Sequence, residues 1–186
     1  MSRRTEIADA GIAALATHGM RGLTHRAVDR EAGLAEGSTS YYFRTRQALL
    51  RGIFERLLEM DLAELPALRI ASLDDLVEEL GRLVEMLLTA GRDRLLARYE
   101  FYLESNRRPE LRELVMTGGS AVRAAIAEQL GAIGIPEPER RAWNFAAFLD
   151  GFMFDQVAGV SAGTAGAEEV RAALRTLATA ALAPSP

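Results

Sequence analysis

Apolar residues recur every three or four positions along almost the whole chain, and no run alternates apolar with polar as a half-buried strand does. That restricts the chain to an all-α fold. The clearest stripe is Leu73, Leu76, Val77, Leu80, Leu83, Val84, Leu87 and Leu88, the pattern of a surface helix. Breakers and caps divide the rest. A first helix is predicted over residues 3–17, stopped by His18-Gly19, and a second, capped by Thr24, over 25–32. A third follows the Gly33 turn over 36–42, and a fourth, capped by Thr45, runs to about 64 and ends at Pro66. After the striped helix, closed by Gly91, come 93–105, then 109–133 interrupted at Gly118-Gly119, then 139–160 and 167–182. The total is about nine helices. The tail Pro184-Ser185-Pro186 is expected to lack fixed structure.

Composition removes several kinds of chemistry. There is no Cys, which excludes disulfides, thiolate metal sites and a cysteine nucleophile. The two histidines, His18 and His25, lie near the N-terminus, so no His/carboxylate cluster assembles elsewhere, and no cofactor is expected. The net charge of -4 argues against a nucleic-acid binder until its distribution is read. Residues 1–56 carry nine Arg against six acids, a balance of +3, and residues 57–186 carry thirteen against twenty, or −7. A basic head on an acidic body is what a protein needs when one part meets a polyanion. The opening Met1-Ser2-Arg3-Arg4 leads into no apolar run, and the most apolar segment, 142–160, is broken by Asn144, Asp150, Asp155 and Gln156. A cytoplasmic protein with no membrane partner is expected.

The informative stretch is Gly22–Leu49, GLTHRAVDREAGLAEGSTSYYFRTRQAL. A helix-turn-helix needs a short helix, a tight turn with Gly and a second helix crossing steeply. Val28 and Ala32, followed by Gly33 and Leu34, fit that need. The second helix must offer small polar residues to the major groove, and Glu36, Gly37, Ser38, Thr39, Ser40, Tyr41 and Tyr42 supply them.

At these residues the chain resembles the TetR family of bacterial repressors. The matching positions are Gly22, Thr24, Ala32-Gly33, Gly37, Tyr41-Tyr42-Phe43 and Thr45-Arg46-Gln47-Ala48-Leu49. The resemblance implies a DNA-binding domain over 1–46 and an effector-binding and dimerisation domain over 47–183. It also implies roles. Thr24 contacts a phosphate and caps its helix, Tyr42 bonds a phosphate, and Arg46 binds one near a helix N-terminus. Ser38, Thr39 and Ser40 read base edges, Gly37 allows close approach, and His25 and Arg26 reach the backbone or groove edge. Two positions depart from the family: Ala35 stands where Ser often caps the recognition helix, and Thr39-Ser40 stand where Leu-Tyr is common. Phe43 is expected in the core and His18 in a structural role. Tyr41 fits packing or a groove contact, Arg3 and Arg4 fit a DNA-touching arm or a solvated start, and Glu36 fits a cytosine contact or a helix-start charge.

Such modules bind as two-fold dimers, because two half-sites supply affinity that one short helix cannot. The segment 139–160 is apolar on nearly every face and needs cover on more than one side. Phe145, Leu149, Met153 and Val157 there, with Val170, Leu174, Leu177 and Ala181 on the last helix, are the expected dimer surface. The resemblance agrees, implying a four-helix bundle with the twin subunit. It further implies a small-molecule pocket in the larger domain, for which Met86, Tyr99, Tyr102, Asn106, Met116, Asn144, Phe148 and Phe152 are candidates. A lining of Met and aromatics suits a flat, largely apolar effector. The expected partners are thus a double-stranded, palindromic DNA operator, a second copy and an effector. An enzyme is disfavoured, since no phosphate loop, nucleophile elbow or metal motif appears. Asp150 and Asp155 do not share a face, and Glu100 and Glu104 sit among Arg98, Arg107 and Arg108. A helical interaction module without DNA binding is the other alternative, and DNA binding alone does not separate repressor from activator.

Overall fold

The computed structural model describes residues 2–65, 68 and 70–182, with the side chains of 181 and 182 left out. Among them are nine helices: α1 Arg3–Gly22, α2 His25–Glu31, α3 Ser38–Tyr42, α4 Arg46–Glu64, α5 Leu73–Leu88, α6 Arg92–Ser105, α7 Pro109–Ala132, α8 Pro138–Ala158 and α9 Ala167–Leu182. No strand occurs among the described residues. The Pro66 stop, the Ala181 side chain and the 184–186 tail lie outside the description.

Caps set several ends as expected. The Thr24 hydroxyl accepts the Ala27 N–H at 3.1 Å, and the Thr45 hydroxyl accepts that of Ala48 at 3.0 Å. α1 differs: it passes His18, breaks at Gly19 (φ 64, ψ -179) and resumes to Gly22. Arg3 and Arg4 are helical rather than a free arm, Arg3 pairing with Glu6 at 2.7 Å. α3 starts two residues later than expected, because Gly37 holds φ 94 and cannot be part of a helix. α7 runs through Gly118-Gly119 without a break. A Cβ at Gly118 would lie 2.7 Å from the Phe54 ring, so that glycine provides room for packing rather than a turn.

The chain packs as two units. The first comprises residues 1–60 and 93–118. Its core joins Ile7, Ile12 and Leu15 of α1, Val28 of α2 and Phe43 to Leu49, Leu50, Ile53, Phe54 and Leu57 of α4, with Phe101 of α6 and Leu111 of α7. Phe54 and Phe101 meet edge to face at 5.3 Å. The division expected after residue 46 therefore differs from the packing, in which α4 and α6 complete the core of the N-terminal helices.

The second unit comprises residues 61–92 and 119–186. Within it α5, α8 and α9 pack on one another. Leu76, Leu80 and Val84 of α5, Phe145, Met153 and Val157 of α8, and Val170 and Leu174 of α9 are buried. Arg171 of α9 pairs with Glu78 and Glu85 of α5 at 3.1 and 2.8 Å. This corrects the expected dimer surface. Phe145, Met153, Val157, Val170 and Leu174 are already covered inside their own chain, and Leu149 and Leu177 are half-buried. The opposite face of α8 is open, with Asn144, Ala147, Phe148, Gly151, Phe154 and Ala158 exposed. A helix apolar all round does not announce which side turns inward.

Among the described residues no helix is long and apolar enough to cross a membrane. No group of three metal-ligating side chains forms there either.

The tight seat of Gly52 gives a stability test. A Cβ there would stand 2.3 Å from the ring of Phe43, which is buried. Gly52→Ala should lower unfolding free energy by about 1–3 kcal/mol through overpacking, outweighing the ~1 kcal/mol that Ala gains in helix propensity. Urea unfolding followed by circular dichroism checks the sign.

Candidate nucleic-acid interface

α2, its turn and α3 form a helix-turn-helix. Gly33 takes φ 64, and the Leu34 N–H returns to the Asp29 carbonyl at 2.8 Å, which closes the turn. α3 has five residues, far too short to persist alone. It is held from below. Asp29 of α2 is 3% exposed, and its two carboxylate oxygens accept the Gly37 N–H at 2.8 Å and the Thr39 N–H at 2.7 Å. Burial pushes this carboxyl up. The hydrogen bonds from Thr39 and Gly37, with His25 nearby, outweigh it, and the result lies below the ordinary aspartate value of 3.8. The stability that this clamp provides is therefore complete above that value and is lost only as pH falls through the lower folded one.

The sequence places Thr39 among the base readers, and the structure overturns that. Thr39 is 0% exposed and faces inward over Asp29. On so short a helix one position must face the protein, and Thr39 is that position. Its neighbours face outward. Ser40 is exposed, and Tyr41 is 79% exposed. Ser38 is half-buried, its hydroxyl donating to the Ala35 carbonyl at 2.7 Å. Tyr42 is partly exposed and stands edge to face with Tyr41 at 5.1 Å. Apart from its two chain neighbours, nothing lies within 4 Å of where a Cβ on Gly37 would stand, so this glycine leaves open space at the leading end of α3.

The far end of α3 is anchored too. Phe43 is buried, as expected, and the Arg4 guanidinium lies 4.2 Å from its ring centre while donating to the Tyr42 carbonyl at 3.1 Å. His25 Nε2 sits 2.6 Å from the Phe43 carbonyl, which can only accept, so that nitrogen carries a proton. His25 thus joins the start of α2 to the end of α3. Arg26 pairs with Glu36 at 2.7 Å in full solvent, where such a pair contributes little.

Arg46 is not presented as the resemblance implies. Its guanidinium donates to the carbonyls of Met20 and Leu23, closing the broken end of α1. Burial and the neighbouring Arg108 pull it below its ordinary value, with Glu104 acting against them. The Met20 N–H is taken in turn by Glu100 of α6 at 2.9 Å. The exposed cation beside α3 is instead Arg44, which has no partner among the described residues. Sequence reasoning missed Asp29, Arg44 and Glu100. For Asp29 there was a signal: an acid beside Val28 on a core-facing helix, with no Ser cap at Ala35.

The expected effector lining is less coherent. Tyr99 is buried and stands edge to face with the half-buried Tyr102 at 5.9 Å. Met86 and Phe152 are half-buried, and Met86 lines an open cleft of about 470 Å³ with Arg82, Glu85 and Val170. Met116, at 60% exposure, and Phe148, at 48%, are surface residues, as are Asn106 and Asn144.

Two family models match. Residues 7–53 match the bacterial regulatory proteins of the tetR family, and residues 71–180 match the tetracyclin repressor-like C-terminal domain. No curated protein matches the chain by sequence. Among solved structures, a transcriptional regulator from Rhodococcus sp. Rha1 is similar at TM-score 0.80 and 23% identity, over 97% of this chain and 96% of that one. A member of the TetR family from Streptomyces coelicolor A3 is 30% identical over 95% of this chain and 98% of its own, at TM-score 0.72. The multidrug binding protein EbrR, complexed with ethidium, is 30% identical over 95% and 98%, at TM-score 0.67. Regulators of this kind bind DNA, dimerise and respond to small molecules, and they are not enzymes. With both family models satisfied in order along one chain, and the helix-turn-helix formed where the first of them lies, this protein belongs to the TetR family of transcriptional regulators.

Proposed function

We propose that this regulator acts in the cytoplasm as a repressor. It occupies a palindromic operator as a two-fold dimer and releases it when a small, largely apolar effector binds the larger domain. The observation that carries the reading is the outward face of α3: Ser38, Ser40 and Tyr41 at the surface, over a helix anchored by Thr39 and Phe43. Ser38, Ser40 and Tyr41 meet base edges, and Gly37 admits the groove wall. Thr24 and Tyr42 contact phosphates. Thr24 accepts the Ala27 N–H and keeps its own O–H to donate. Arg44 supplies the phosphate cation in place of Arg46.

The open α8 face, with Phe148 and Gly151 at its middle, is the surface that meets the twin subunit. The exposed small residues Ala172, Thr176 and Thr179 of α9 extend it. Met86 and Phe152, both half-buried in the second unit, remain the effector candidates. EbrR's complex with ethidium supports an aromatic effector, and binding of ethidium to the DNA-free protein tests that class. A ligand releases DNA only if it binds the DNA-incompetent state more tightly.

Selection from a random duplex pool tests the operator: an inverted repeat should emerge, its half-sites about one helical turn or a multiple apart. Recovery of no common sequence would contradict the reading. Arg44→Ala should weaken all duplexes alike and reduce the slope of log affinity against log salt by about 1. Arg46→Ala should instead cost about 1–3 kcal/mol of folding stability, as charged hydrogen bonds to buried carbonyls are lost. Ser40→Ala should change the selected sequence while leaving binding to unrelated DNA in place. Phe148→Arg should shift sedimentation from dimer to monomer without unfolding the chain.

A further inference from the structure

The recognition helix lacks the means to hold itself. It has five residues, no side-chain cap from Ala35 or Gly37, and a left-handed residue immediately before it. A helix of this length does not form on intrinsic propensity. What holds it comes from another helix. Both oxygens of one buried carboxylate are used, one on the Gly37 amide and one on the Thr39 amide. Among the described residues Asp29 is the one buried acid. Its two bonds fall at special places. Gly37 is the point where the backbone turns into α3, and Thr39 lies between Ser38 and Ser40. Fixing the Thr39 amide fixes where both serines stand.

We infer that Asp29 is a positioning residue for DNA sequence recognition: it caps α3 from α2 and sets the placement of Ser38 and Ser40 without touching DNA itself. The inference rests on the reading that α3 enters the major groove. A carboxylate suits the task because it only accepts, and both amides only donate. Asparagine does not replace it. One of its two side-chain ends is itself a donor, so one of the two amides then faces an N–H across a buried contact. The same geometry explains how the chain does without the Ser cap before α3. The cap is supplied across the turn, together with a polar Thr39 where the family often has an apolar residue.

The experiment compares full-length wild type and Asp29→Asn for binding to the duplex selected by the wild type and to an unrelated duplex of equal length and salt. The unrelated duplex reads phosphate contacts, and its affinity should stay within about two-fold. Affinity for the selected duplex should fall about ten-fold or more, the scale of a buried donor left without its acceptor. A fresh selection with the variant should lose preference at the positions that Ser40→Ala alters. A folded, dimeric Asp29→Asn that keeps the wild-type ratio of selected to unrelated binding overturns the inference. If that variant does not fold, the double variant Asp29→Ala/Thr39→Leu replaces the polar clamp with an apolar one. It should fold, bind unrelated DNA and discriminate poorly, and wild-type discrimination from it overturns the inference equally. A wild type that prefers no sequence defeats the groove-reading proposal beneath it and is recognised by that result alone.

Discussion

A helix of one and a half turns has to be held by something other than its own hydrogen bonds, and that constraint organises the N-terminal unit. Asp29 takes two amides at the leading end of α3, and His25 and Arg4 take carbonyls at its trailing end. Thr39 and Phe43 face inward. Everything α3 offers to a partner lies on the remaining face. The short helix is therefore a rigid display whose every internal face is committed.

The same logic extends back to α1 and α6. Gly19 breaks α1, which frees the Met20 peptide from the helix ladder. Glu100 then binds its N–H and Arg46 its carbonyl. The family model for the C-terminal domain begins at residue 71 and includes α6, yet α6 packs in the first unit. A displacement of α6 must carry the Glu100 contact at Met20 with it or break it, three residues before Leu23 and Thr24 lead into α2. Sequence homology and packing thus divide the chain differently, and the difference falls on the helix that joins the two descriptions.

Local signals were legible in the sequence. Thr24 and Thr45 cap their helices, Gly33 makes the turn and Phe43 is core, because each depends on neighbours a few residues away. Contacts between distant segments were not. Arg46 reads as a phosphate ligand until the carbonyls of Met20 and Leu23 are seen beside it. Gly118 reads as a helix breaker until Phe54 is found against it. The two faces of α8 are equally apolar, so the sequence showed that both need cover but not which is internal. Thr39 resembles Ser38 and Ser40 in chemistry, and only the direction of a five-residue helix separates it from them.

On the function proposed, DNA meets the exposed face of α3, supported by the start of α2. Backbone hydrogen–deuterium exchange of the full chain, with and without its selected duplex, tests it directly. Exchange should slow across residues 24–27 and 38–46, with α5 and α9 unchanged. Slowed exchange confined to other helices, with 38–46 exchanging as in the free protein, would contradict that contact.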